Sequence, residues 1–117
     1  MSDRELTKTE RKRARAIVEA AWEAELSQEL EDLAGLFGDW RKQHLNAHQL
    51  ADAIHDFHDG PSRSLFSFYR TFPMPELAAR AIAFRLVAPE AVPASLREAL
   101  KESIQRWAER GDEIPQP

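Results

Sequence analysis

Cysteine is absent from the 117 residues. That removes disulfides, thiol nucleophiles and thiolate-ligated zinc together, and it fits a reducing compartment. Long apolar runs are also missing. The most apolar stretch, "ELAARAIAFRLVA", is interrupted by Arg80 and Arg85 and is too short to span a bilayer. The N-terminal "MSDRELTKTERKRARA" has no hydrophobic segment of the secretory kind. Its acids Asp3, Glu5 and Glu10 argue against a transit peptide. These absences lead us to expect a soluble, cytoplasmic protein without a membrane partner. Convincing strands, internal repeats and low-complexity linkers are lacking too. "AIAFRLV" is the nearest to a strand, but its alanine-rich context after Pro75-Glu76 favours helix. Ser62, Ser64 and Ser67 lie near the histidines in sequence, yet no Gly-x-Ser-x-Gly elbow and no phosphate-binding glycine loop occur. No catalytic constellation emerges, so the expectation is a non-catalytic protein with no cofactor.

What is present is 43% apolar and 31% charged residues, enough for one self-folding domain over 1–117. Residues 1–4 and 112–117 are expected to fray. The net charge of −4 conceals an asymmetry. Residues 1–15 hold six of the basic residues (Arg4, Lys8, Arg11, Lys12, Arg13, Arg15) against three acids, and the remainder holds ten against seventeen. A basic end on an acidic body suits nucleic acid or an acidic partner.

From Ala14 through Ile17, Val18, Ala21, Trp22, Leu26, Leu30, Leu33 and Phe37 to Trp40, apolar residues step by three or four. This period predicts one long helix over about 5–37, ending near Gly38, with Ser27 as an alternative cap that would split it. The spacing 26-30-33-37-40 is heptad-like and suits an antiparallel neighbour or a dimer partner. Asn46 with Gln49 forms a capping box for a second helix, 47–59, that Gly60-Pro61 should stop. Ser62 would cap a short third helix, "RSLFSFYRTF", closed by Pro73. Pro75 would open a fourth over 75–87. A fifth starts from a Ser95–Glu98 capping box, or two residues earlier at Pro93, and carries Leu96, Leu100, Ile104 and Trp107 on one stripe up to Gly111. The expected fold class is all-α: about five helices, a long N-terminal one followed by an orthogonal or bundle-like array.

The segment "HLNAHQLADAIHDFHDG", residues 44–60, holds all four histidines. With Leu50 at zero on a wheel of ~100° per residue, Ile54 and Phe57 lie within ~40° of it and form the expected buried stripe. His48, Asp52, His55 and Asp59 lie within ~40° of the opposite pole. Imidazole and carboxylate suit zinc, iron or manganese. The Asp52-x-x-His55 spacing resembles the carboxylate-x-x-His pairs of di-metal bundles, but those need a second helix and no other helix here has a histidine. Only a dimer would supply another copy. The ordinary reading is a solvated face with weak i,i+4 pairs. His44 precedes the cap, so "HLNAH" is no HExxH-type site. An EF-hand rhythm over 30–57 fails as well, because Lys42 falls on a ligand position and the bidentate Glu is missing.

Two further features invite partners. Arg11, Lys12, Arg13 and Arg15 would contact phosphates without reading bases, or would simply form a solvated turn. "LFSFYRTF" supplies core aromatics, or else Phe66, Tyr69 and Arg70 form an exposed anchor with a polar rim. Trp22, Trp40 and Trp107 have the same two readings, with core favoured. The run Trp40…Leu45-Asn46…Leu50…Ile54-His55-Asp56-Phe57-His58-Asp59-Gly60-Pro61-Ser62-Arg63…Leu65…Tyr69, with "VPASL" after it, resembles a pattern in small uncharacterised bacterial helical proteins over residues 36–105. That resemblance implies no activity and carries no residue role. The expectation is therefore a small protein–protein interaction or adaptor protein, homodimeric through its long first helix, with nucleic-acid contact and a dimer-shared metal site as alternatives.

Overall fold

Thr7 opens the first helix. Its hydroxyl accepts from the Glu10 backbone N–H at 3.1 Å, and the Glu10 carboxylate accepts from the Thr7 N–H at 2.9 Å. This capping box was not expected from the basic composition around it. The computed structural model describes residues 3–111. Helix α1 then runs Lys8–Arg41, 34 residues without a break. It passes Ser27, which caps nothing, and both Gly35 and Gly38. The predicted stop near Gly38 is therefore corrected. The stop falls at Gln43, which takes φ 67°, while the His44 N–H reaches back to the Asp39 carbonyl at 2.8 Å. That is a Schellman-type ending built without glycine.

Asn46 caps α2 (Ala47–Phe57) with the expected box to Gln49. The expected stop at Gly60-Pro61 does not occur. Pro61 has no N–H to donate, and its ring would crowd the carbonyl four residues back. The chain relieves this with a π-turn over His58–Ser62 and continues into α3 (Arg63–Thr71). Ser62 makes no cap bond, and Gly60 keeps a negative φ. Residues 47–71 thus form one nearly continuous rod that folds back along α1.

Helix α4 (Met74–Ala83) ends four residues before the expected 87. Arg85 takes φ 55°, and the Leu86 N–H bonds the Ala81 carbonyl at 2.9 Å. After a short 3₁₀ turn at Pro89–Ala91, α5 (Ala94–Ala99) starts from Pro93. The Ser95–Glu98 box does not form. The expected fifth helix is in fact two, because Leu100 (φ −108°, ψ 12°) breaks it before α6 (Lys101–Arg110). Gly111, at φ 92°, ends α6. The expected frayed tail, 112–117, lies outside the described residues. Asp3 and Arg4, also placed in a fraying end above, hold contacts. Asp3 accepts from the Glu102 and Ser103 N–H groups and so caps α6. Arg4 forms a bidentate pair with Glu10 at 2.8 and 2.7 Å. That pair, and then the Thr7 N–H, hold the Glu10 carboxyl well below the usual carboxylate range.

All-α architecture holds throughout the described residues. One core joins Ala14, Ile17 and Ala21 of α1 to Leu65 and Phe68 of α3, Leu77–Ile82 of α4, and Leu96, Leu100 and Trp107. The many alanines let α1, α4 and α6 approach closely. Glu76 ties α4 to α6: it accepts from Trp107 Nε1 at 2.9 Å, Ser103 Oγ at 3.2 Å and Arg106 at 3.1 Å. The molecule is nonetheless long, 55 × 29 × 24 Å, with a radius of gyration of 17.2 Å. A compact chain of this length has about 13 Å. The excess is an arm: the distal half of α1 with α2 laid along it.

Candidate interaction surface

Helix α1 carries two apolar faces. At ~100° per residue, Glu10, Ala14, Ile17 and Ala21 share a ~60° arc, and all four are buried in the body. Trp22, Leu26, Leu30, Leu33, Phe37 and Trp40 share a separate ~80° arc, centred ~150° away. The single stripe expected from the sequence therefore drifts around the helix and leaves the body behind. In the arm, α2 covers part of the second face. Leu33 and Leu36 line, together with Ala53, Phe57 and Pro61, an open cavity of about 250 Å³.

That cover is incomplete. Among residues 26–57 only Leu50 is buried. Leu30 is 47% exposed, Trp40 40% and Ile54 41%. Two expectations are corrected here: Ile54 is not part of a buried stripe, and Trp40 is not core. An antiparallel hairpin has one line of contact, so side chains to either side of that line stay in water unless a third element arrives. The helical phases of Ile54 and of Leu26, Leu30 and Phe37 put them on one side of the hairpin. Phe66 of α3, 52% exposed, extends this surface toward the body, its ring 6.2 Å from Trp22.

Of the aromatic anchor expected from the sequence, Phe66 and Arg70 are at the surface, with the Arg70 guanidinium 5.3 Å over the Phe66 ring. Tyr69 is not. It is buried, stacked on Trp22 at 5.2 Å and 4°, and its hydroxyl donates to Glu25. Burial first, and then the bond to Glu25, raise its pKa. Arg80, 1% exposed, holds the same carboxylate through two 2.8 Å bonds and lies 4.8 Å over the Phe68 ring. This Glu25–Tyr69–Arg80 knot joins α1, α3 and α4 where the arm leaves the body, and it fixes the arm's direction.

The histidine face is exposed along one helix. His48, Asp52, His55 and Asp59 all lie at the surface, and Asp59 falls in the π-turn, where the assumed step per residue no longer holds. Among the described residues no three His, Asp or Glu side chains converge to hold a metal. Arg11, Lys12, Arg13 and Arg15 are exposed as well. Arg11, Lys12 and Arg15, with Lys8, share a ~100° arc, while Arg13 points ~100° beyond Lys12. Arg11 also donates to the Leu6 carbonyl at 2.9 Å. No described helix is long and apolar enough to cross a membrane. No family model, curated protein or solved structure matches the chain, so the surface is read from its own geometry.

Leu30 and Ile54 are exposed apolar residues that the sequence reading did not single out as surface candidates. For Leu30 the available signal was the heptad-like spacing from Leu26 to Trp40, which suits an antiparallel neighbour or a dimer partner; Ile54 carried none, since its period placed it with Leu50.

Proposed function

We propose that this protein is a small helical interaction protein, non-catalytic, that works in the cytoplasm through the apolar side of its arm. The observation that carries the reading is the arm's lack of a core. Between residues 26 and 57 only Leu50 is buried, while Leu30, Trp40 and Ile54 lie in solvent. Large apolar side chains exposed together along one arm support an association surface. The arrangement of Phe66 under Arg70 fits the aromatic and arginine enrichment of interface centres. The test is affinity capture of the tagged full chain from cells that express it, with Leu30→Glu combined with Phe66→Lys as the comparison. A companion at stoichiometric amount, a second copy included, is expected with the parent and lost with the variant. Far-UV circular dichroism should remain helical. Capture of nothing, or capture indifferent to the variant, refutes the reading.

A second reading rests on the basic arc of Lys8, Arg11, Lys12 and Arg15, which presents four cations on one exposed helical face. It would bind nucleic-acid backbones through phosphates. Retention on DNA or RNA at low salt, falling steeply with added salt and lost when Arg11, Lys12 and Arg15 become Ala, is the expected result. No retention at low salt removes it. The metal alternative gains no second helix among the described residues. Stoichiometric zinc, iron or manganese in the purified protein, lost in His55→Ala with Asp52→Ala, is what would revive it.

A further inference from the structure

The arm has the build of half a four-helix bundle. Two antiparallel rods lie side by side with one apolar side facing out, and such a pair becomes stable when a second pair closes over it. We infer that a second copy of this chain supplies that pair, arm against arm, running antiparallel about a two-fold axis near Leu30. The inference rests on the reading of the arm as the working surface and adds what covers it.

Charge picks out this occupant. Along the outer arc of α1, Glu19 and Glu23 stand at the body end of the apolar stripe, and the pocket beside Trp22 and Leu26 is lined by both. Arg41 stands at the tip on the same arc, with Lys42 next to it, and all four residues are exposed. From Glu19 to Arg41 the stripe therefore reads acid, apolar, base, with Arg15 and Lys12 on the same arc about one and two turns further into the body. A surface with opposite ends of opposite charge is complementary to itself when turned end for end, which is what an isologous two-fold contact does. A parallel pairing would set Glu19 and Glu23 against themselves and Arg41 against itself. The midpoint between the acids and Arg41 falls next to Leu30, the most exposed aliphatic residue of the stripe. Around that point Leu26 comes opposite the partner's Phe37, and Trp22 with Phe66 comes opposite the partner's arm tip.

Size agrees. From Trp22 to Trp40 the stripe is about 27 Å long at 1.5 Å per residue. Two helices at 8–10 Å spacing make it about 20 Å wide. The projected footprint is roughly 500 Å² per copy, and a ridged helical surface exposes more than its projection, toward the ~800 Å² per partner of a stable contact.

The experiment is light scattering and sedimentation of the purified full chain from low to high micromolar concentration. Twice the chain mass of 13.4 kDa is expected, falling to the single mass for Leu30→Glu and, independently, for Phe66→Lys. Both sites are about half exposed in the single chain, so both variants should keep their helicity. A charge exchange reads the orientation. Glu19→Arg with Glu23→Arg makes both ends basic, and Arg41→Glu with Lys42→Glu makes both ends acidic. Each should be monomeric alone, and the two mixed should form a heterodimer that weakens with salt. Dimers that ignore the exchanges overturn the antiparallel arrangement. A parent monomeric at every concentration overturns the second copy as occupant. If capture from cells is still lost with Leu30→Glu and Phe66→Lys in that case, the arm remains the working surface for another protein. If capture fails as well, both readings fall.

Discussion

Replacing Glu25 by Gln should destabilise the fold markedly, although it changes only one atom type. Arg80 is 1% exposed and its guanidinium is held by two 2.8 Å bonds to Glu25. The amide keeps the shape and one acceptor but removes the charge. Removing one hydrogen-bonded anion from a buried cation costs up to about 3–5 kcal/mol. The Glu25 side chain is 17% exposed, so water recovers part of that, and we expect about 2–4 kcal/mol. In the same frame, Glu25→Leu with Arg80→Met and Tyr69→Phe removes both charges and the hydroxyl that donates to Glu25, and should come within about 1–2 kcal/mol of the parent, on either side, because buried pairs contribute little beyond their own desolvation. Urea unfolding followed at 222 nm, at one fixed protein concentration so that self-association does not enter, measures both. In a thermal scan at the same wavelength the single change should lower the melting temperature by roughly 10 °C, at ~4 °C or more per kcal/mol for a domain of this size. A Glu25→Gln loss below about 1 kcal/mol would place the pair among solvated surface bridges and refute the account of the knot. So would a triple variant markedly worse than Glu25→Gln.

Tyr69 is the only tyrosine in the chain, so tyrosinate absorbance at 295 nm reports on it alone. Its folded pKa lies above the unfolded value of about 10; the stability this contributes is complete below that value and lost as pH rises through the folded one. The absorbance should therefore stay flat past pH 10 until alkaline unfolding, and a normal titration near pH 10 in folded protein would contradict the burial. Gly38 lies inside α1 with open space where a Cβ would sit, whereas Gln43 holds a left-handed φ. Exchanging them, Gly38→Ala with Gln43→Gly, should raise stability by about 1–2 kcal/mol in urea unfolding, and a loss would mean that the helix end is wrongly described. Asp3→Ala removes the side-chain cap of α6 and should cost about 1 kcal/mol, read as a lower urea midpoint; no change would show that the Asp3 contact contributes nothing.

The helical periods, the Asn46–Gln49 box, the Pro75 start and the Gly111 stop were all legible, because each is a local signal resolved within one turn of chain. The errors were local too, but of another kind. Both Schellman endings use Gln43 and Arg85 where glycine is the usual marker, and Gly60-Pro61, the strongest apparent stop, was absorbed by a π-turn. Leu100 broke the last helix with no breaker residue at all. The surface was half legible. The heptad spacing after Leu26 called for a neighbour, and an exposed Phe66 with Arg70 was one of two readings of the aromatic run, the other being core packing. Tyr69 was misplaced, since one turn of an aromatic helix does not reveal which ring meets Glu25 and Arg80 from elements 44 and 11 residues away.

By itself the sequence determined an all-α chain with a long opening helix, an acidic body behind a basic start, and no chemistry that needs cysteine or a glycine loop. Those follow from composition and from periods of three and four, which act along the chain. Only the tertiary structure decided that the apolar stripe of α1 changes face between Ala21 and Trp22, so that half of it enters the body and half enters an arm. That choice depends on where α3 and α4 pack and on the knot of Glu25, Tyr69 and Arg80 that sets the arm's direction, and contacts between residues far apart in sequence leave no period to read.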